Sequence, residues 1–302
     1  MAWDSIPRTH SFSLGDLHDF GRCVFKFFVN HHLQKKYELA EGNANQTIGS
    51  LLDLAIKKLH QNNMQNLPVE ELLKLIEAAR IDIKNEAEKR GKNSFFGALP
   101  PFLTDEVVIT AKEVFKDYHQ AVGGKYKPMV PTYIMRKLKP FWAYVIQTTP
   151  QPVQIWGAPD VIELGEDGVP EIVDYKYREN PADQAKMDMD LMPKVYTLLC
   201  ARELKEMGYS KARFKVKFWL SPKEESFYEE FDLANMPNLE AFFKDKIDRI
   251  LRTSELSFCE KDFCKVCKSS QRNQWIAQIQ VAGWLGGSTP VKTAEEKSDL
   301  PF

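Results

Sequence analysis

The sequence lacks most of what would commit a chain to a membrane, a matrix or a polyelectrolyte. Its most apolar stretch, Phe141 to Ile146, is far too short to cross a bilayer. The opening Met1-Ala-Trp-Asp4 places an acid where a secretory leader has a basic start and an apolar run. Together these predict a soluble, cytoplasmic protein with no membrane partner. A charge of one sign is missing as well. The 41 basic and 42 acidic residues leave a net −1 over 302 residues, so no global field gathers nucleic acid. Any such binding needs a local patch. With 15 glycines and 17 prolines the chain is neither collagen-like nor linker-dominated, and no internal repeat is visible. Cysteines number only five. In a reducing compartment they read as ligands or buried thiols rather than disulfides.

What is present suffices for a large core: 43% of residues are hydrophobic and 12% aromatic. The first half reads as helices. Ser13-Leu-Gly-Asp16 is a capping box, and Val24 to Leu33 continues helically from Cys23. Thr47 caps a helix Ile48 to His60 with apolar positions at helical period. A charged amphipathic helix covers 68–90, and Thr104 opens another to about His119. From Tyr133 the texture turns to β-branched and aromatic residues. Gln154–Leu164 and Glu171–Tyr177 read as a hairpin around Gly165-Glu-Asp-Gly168. Asn180-Pro181 marks a helix start, and that helix runs to about Gly208 with a kink or split at Pro193. Strands at 212–220 and 226–233 and a helix near 238–253 complete an α/β pattern. From Gly286 the chain is linker-like.

The hairpin carries the densest chemistry. Alternation puts Asp174 and Lys176 on one face of their strand, and the partner strand brings Asp160 beside them. Two carboxylates and a lysine make an oxygen site for a hard divalent ion, magnesium or manganese. Such an ion activates water and polarises a phosphodiester, while the lysine orients the water or neutralises developing charge. On these residues alone, a solvated strand face with an Asp–Lys pair fits equally well.

Pro159-Asp160 followed by Asp174-x-Lys176 resembles the signature of the PD-(D/E)xK nuclease superfamily. Trp156-Gly-x-x-Asp160-x-Ile162 with Ile172-Val-Asp-Tyr-Lys176 is similar to its RecB-like branch, which includes the exonucleases of CRISPR adaptation. The resemblance covers residues 10–267. It implies a restriction-endonuclease-like core, a central mixed β-sheet flanked by helices; the helical region at about 61–125 has no match in the resemblance and reads as an insertion. The domain plan is then a nuclease domain 1–270, an extension 271–285 and a flexible acidic tail 286–302.

That branch carries Gly-x-x-x-His on an earlier helix, its histidine a metal ligand. Here Gly49-Ser-Leu-Leu-Asp53 stands in that place, so Asp53 is the implied third ligand beside Asp160 and Asp174. His60 does not substitute, since seven helical residues displace it by roughly 10 Å. The branch also carries Gln-x-x-x-Tyr after the lysine strand. Met192-Pro-Lys-Val-Tyr196 keeps only the tyrosine, a substrate contact by resemblance and a core residue by pattern.

Cys259-x4-Cys264-x2-Cys267 with Cys23 makes four soft ligands, suited to zinc or to an iron–sulfur cluster. Several RecB-like nucleases resemble this, with one early and three late cysteines holding a 4Fe-4S cluster, although their late triplet begins with the C-x2-C pair. Cys200 sits in an apolar run and reads as core.

Lys211, Arg213, Lys215 and Lys217 alternate with apolar residues. They read as a DNA phosphate track or, more simply, as partners of acids on the next strand, Glu224, Glu225, Glu229 and Glu230. Phe25, Phe27, Phe28 and Tyr37 read as base-stacking aromatics or as a buried helix.

The reading is a metal-dependent DNA nuclease, an exonuclease on single-stranded ends in recombination, repair or replication. The alternative is a single-stranded DNA-binding protein on the same fold with weak or no catalysis. The terminal Asp299-Leu300-Pro301-Phe302 resembles the tip of bacterial single-stranded DNA-binding proteins, which implies docking to a replication or repair partner. An ordinary frayed terminus is the plain alternative.

Overall fold

The computed structural model describes residues 10–35, 42–62, 64, 66–91, 95–125, 142–147, 152–177, 191–222, 227–259, 261 and 264–282. Its contacts divide the chain into two compact units, residues 1–39, 145–155 and 240–302 in one and 40–144 and 156–239 in the other.

The first unit begins with β1 (Ser11–Ser13) and α1 (Leu14–Arg22). The capping box forms as read: Asp16 N–H donates to Ser13 Oγ at 3.2 Å, and Ser13 N–H donates to the Asp16 carboxylate at 2.8 Å. Cys23 then breaks the helix with an extended backbone and restarts it as the N-cap of α2 (Val24–Phe27). The run expected to continue helically to Leu33 instead widens into a π-helical turn, Phe28–His32. Phe25, Phe27 and Phe28 are buried, so they belong to a core and not to a stacking surface; Tyr37 lies outside the described residues. β1 is one edge of a three-stranded sheet ordered β1-β3-β2, with β2 at Trp142–Ile146 and β3 at Val153–Gly157.

The second unit is built on α3 (Ala44–Gln61), α4 (Val69–Arg90) and α5 (Asp105–Ala121), which pack on one another. α3 starts earlier than its pattern suggested, because Asn43 is the cap, accepting from Gln46 N–H at 2.8 Å. Thr47 is instead buried, its hydroxyl donating to the Asn43 carbonyl. Thr104 caps α5 as expected. A four-stranded sheet runs β4 (Val161–Leu164), β5 (Pro170–Lys176), β6 (Lys211–Phe218), β7 (Phe227–Asp232). β5 and β6 are parallel and the outer pairs antiparallel, so the sheet is mixed. Between β5 and β6 lies α6 (Met192–Glu206), which packs on both strands. Pro193 sits in its first turn, where a missing N–H costs nothing; the segment before it, needed to test a kink or split, lies outside the described residues. The Asn180 start lies outside the described residues. α8 (Arg272–Val281) and all but the first turn of α7 (Met236–Arg252) belong to the first unit.

Alternation sorts the sheet into two faces. Val161, Val173, Tyr175 and Trp219 join the core of α3, α4 and α5. The other face shows Ile172, Asp174 and Lys176 of β5 beside Phe214, Val216 and Phe218 of β6. There Tyr196 of α6 meets Phe214, ring centres 5.9 Å apart. The expected strand 154–164 is in fact two, β3 and β4, in different sheets. Pro159 has no N–H for a ladder, and the Asp160 carboxylate turns back to accept from Tyr175 N–H at 2.8 Å.

Candidate functional site

All three carboxylates of the sequence reading, with Lys176, fall in the second unit, on elements that hold them by ordinary secondary structure. Asp174 and Lys176 share a face two residues apart on β5, and the Lys176 ammonium contacts the Asp174 carboxylate. Asp160 stands at the break before β4, one oxygen bound by Tyr175 N–H and the other 2.9 Å from Lys57 Nζ. Asp53 on α3 accepts from Trp219 Nε1–H at 3.5 Å.

Lys57 and Trp219 were missed by sequence reasoning. Lys57 carried a usable signal, because Asp53-x-x-x-Lys57 places acid and base one helical turn apart, acid first. Trp219 carried none. It lies just past β6 and is fixed by aromatic packing: Tyr175 stacks on it at 4.7 Å, Tyr118 of α5 meets it edge-on at 4.7 Å, and Phe115 lies at 5.9 Å. The helical segment without a match in the resemblance thus buttresses the indole that touches Asp53.

The electrostatics are those of crowded acids. Burial pushes the Asp53 carboxyl well above the usual range and the charge of Asp160 adds to this, with Lys57 and Lys176 opposing. Burial likewise lifts Asp174 to about 6, against the pull of Lys176. For Lys176 burial acts downward, but Asp174 and Asp160 outweigh it and hold the ammonium protonated. Lys57 behaves the same way, with Asp160 and Asp53 the stronger influences. The three carboxylates repel one another, and the two lysines only partly relieve that repulsion. Tyr196 is buried; burial and then the charges of Asp174, Asp160 and Asp53 raise its phenol. Gly157 allows its approach, since a β-carbon there would stand 3.1 Å from Leu199 and 3.3 Å from Tyr196.

His60 is engaged elsewhere, its Nε2 3.6 Å from buried Glu163. Cys200 is buried in α6 as read.

The basic row of β6 does not share the face of Asp174 and Lys176. Lys211, Arg213, Lys215 and Lys217 stand with Glu171, Val173 and Tyr175 on the opposite one. Each is held by an acid: Lys211 by Glu230 at 2.7 Å, Arg213 by Glu230 and Asp167, Lys215 by Glu171 at 2.7 Å and Lys217 by Glu163. These contacts are the acid pairing that the sequence offered beside the phosphate-track reading. Most of the acids come from β4, β5 and their turn; on β7 the partner is Glu230, while Glu224 and Glu225 lie outside the described residues.

The first unit holds the second cluster. Cys23, Cys259, Cys264 and Cys267 gather with their sulfurs within 4.8 Å of one another, three of them buried and Cys259 half-buried. Burial raises the Cys23 and Cys267 thiols. Burial acts upward on Cys259 too, but the Lys261 N–H and the neighbouring thiols hold it below its ordinary value. Four convergent thiols are a soft-metal site. The tail residues Asp299 to Phe302 lie outside the described residues.

A family model for the PD-(D/E)XK nuclease superfamily matches residues 11–272. The chain belongs to this superfamily. The PD-(D/E)XK signature residues Pro159-Asp160 and Asp174-x-Lys176 are the ones the structure brings together. Among curated proteins none matches the chain. A solved structure, titled the crystal structure of SSO0001, is similar over 87% of this chain and 85% of its own, with 10% identity and a TM-score of 0.28. Among the described residues no helix of this PD-(D/E)XK protein is long and apolar enough to cross a membrane.

Proposed function

We propose that this PD-(D/E)XK protein is a magnesium- or manganese-dependent deoxyribonuclease that degrades DNA from single-stranded ends, in recombination, repair or replication. The observation that carries the reading is the placement of Asp160 and Asp174 in contact with Lys57 and Lys176, with Asp53 one helical turn from Lys57. Asp53, Asp160 and Asp174 would hold a divalent ion, which would supply an activated water and a polarised phosphate. Tyr175 N–H and Lys57 orient Asp160, and Trp219 orients Asp53. Lys176, kept protonated by its acidic neighbours, donates rather than accepts. Both roles open to it, orienting the water and neutralising the charge that builds on the phosphate, suit a protonated lysine.

A second reading, a DNA-binding protein with weak or no cleavage, is favoured by one observation. Lys57 and Lys176 already occupy the carboxylates as internal counter-ions. The two readings separate in one experiment: a degradation assay and a gel shift on the same linear single strand, with magnesium, with manganese and without either. Metal-dependent loss of the strand supports the nuclease; a retarded but intact strand supports the binder. A circular single strand left whole under conditions that consume the linear one identifies an end-directed enzyme. The tail ending in Asp299-Leu-Pro-Phe302 is proposed to dock a replication or repair protein. Deleting Phe302 is expected to weaken that recruitment and leave folding intact.

A further inference from the structure

The four thiols of the first unit stand too close together for the iron–sulfur cluster that the resemblance implies. Cys23 Sγ is 3.4 Å from Cys267 Sγ, and Cys259 Sγ is 3.8 Å from Cys267 Sγ. All four sulfurs fall within 4.8 Å of one another. A tetrahedral ion with metal–thiolate bonds of about 2.3 Å sets its sulfurs roughly 3.8 Å apart, the edge of that tetrahedron. A four-iron cluster makes a different demand. Each thiolate binds one corner iron, so all the irons and inorganic sulfides lie between the four cysteines. Sulfurs confined within 4.8 Å enclose a single atom and not that body. A two-iron cluster meets the same obstacle along its longer axis, where thiolates on different irons must spread apart.

The backbone around the thiols suits a compact site. Cys264-Lys-Val-Cys267 is a tight turn, with Cys264 N–H donating to the Lys261 carbonyl at 2.9 Å and Lys268 N–H to the Cys264 carbonyl at 3.1 Å. Cys23 contributes from a helix cap, where Lys26 N–H donates to its sulfur at 3.4 Å. Phe25 packs on Phe258 at 4.9 Å, and the Arg272 guanidinium lies 4.1 Å over Phe258 on its other contact. Phe25, Phe258 and Val266, close to these cysteines in the chain, are buried, as are Cys23, Cys264 and Cys267. A closed set of four protein ligands with no open position is the form of a structural site.

We infer that Cys23, Cys259, Cys264 and Cys267 bind one zinc ion, in place of the iron–sulfur cluster found in similar nucleases. The ion closes the first unit by joining a residue near its start to three near its end. It takes no part in cleavage, so this inference stands or falls apart from the nuclease reading.

The test uses the full chain, purified without oxygen. Zinc, iron and acid-labile sulfide are measured, and the visible spectrum is recorded. One zinc per chain, no sulfide and no visible band are expected. The stripped protein is then offered cobalt(II) alone or iron with sulfide. Cobalt is expected to give the intense visible bands of a tetrahedral thiolate site, bleached by one equivalent of zinc, and iron with sulfide is expected to leave no chromophore. Iron and sulfide in matching amounts with a brown colour, or reconstitution of that colour, would overturn the inference. Protein that holds neither metal and shows no cobalt bands would overturn it too. Cys264→Ser is expected to lose most of the cobalt absorbance. Because that variant risks misfolding, the decisive reading is the one on the unaltered chain.

Discussion

The two polar clusters of this molecule are built in opposite ways. The carboxylate cluster draws its oxygens from separate parts of one unit: Asp53 on α3, Asp160 at the break before β4, Asp174 on β5. It has its own counter-ions in Lys57 and Lys176, so the acids are tolerable without a metal. The thiol cluster gathers four sulfurs within 4.8 Å of one another. It joins positions 236 residues apart, from Cys23 to Cys259, through loops and a helix cap. A site with internal counter-ions can release its metal and keep its fold. A site of four convergent thiols draws cohesion from the ion itself. The first arrangement suits chemistry and the second suits structure.

The strongest test of that contrast is to remove each site and compare which property fails. Asp174→Ala and Lys176→Ala are expected to cut DNA degradation by about 10³-fold with little change in melting temperature. A variant that retains activity would dismantle the catalytic half of the comparison. Cys264→Ser is expected to do the reverse. It should lower the melting temperature by about 8 °C, because the metal contribution to folding is lost, and scanning calorimetry beside the degradation assay measures both. Equal melting temperatures would show that the thiols contribute no cohesion.

A finer test asks whether Lys57 is a stand-in cation. Lys57→Met removes one positive charge near Asp160 and Asp53, so manganese binding should tighten by about tenfold while degradation slows. Unbound manganese followed by electron paramagnetic resonance reports the affinity without using activity. Unchanged affinity would exclude the stand-in role.

The next effect is one of pH. The Asp174 carboxyl, with its folded pKa raised to about 6 from an ordinary 3.8, binds its proton more tightly in the native state than in the unfolded one. Without divalent metal, its contribution to stability is therefore most favourable below pH 4 and is lost as the pH rises to about 6. Asp174→Asn should lack this fall and melt about 4 °C higher than the parent at pH 7. Melting curves between pH 4 and 7 without magnesium or manganese check the sign. The smallest effect is expected at the basic row: Lys215→Gln, removing a partner of Glu171 on the face away from Asp174, should leave DNA affinity within about twofold. A larger loss in a gel shift would support the phosphate-track reading.

Much of this was legible locally. A capping box at Ser13, a cap at Thr104 and a Gly-rich turn after Leu164 depend on neighbours in the chain and formed where the sequence indicated. The spacing Asp174-x-Lys176 fixes a shared strand face wherever that strand lies. Boundaries were less legible when a polar side chain had two uses. Asn43 rather than Thr47 capped α3 because Thr47 was needed inside the core. The π-helical turn after Phe27 left no mark in the apolar pattern, which looks alike at either helical period over five residues.

By itself, then, the sequence determined the donors: three acids, a lysine, four thiols and the pattern that pairs Asp174 with Lys176. Only the tertiary structure decided their company. It set Lys57 against Asp160, put Trp219 on Asp53 through a stack reaching into α5, and drew Cys23 to within 3.4 Å of Cys267. It also turned the basic row of β6 to the face opposite the acids. The physical reason is range. Strand alternation and helical period act over a few residues, whereas a carboxylate buried among like charges is settled by whatever the far chain brings to neutralise it.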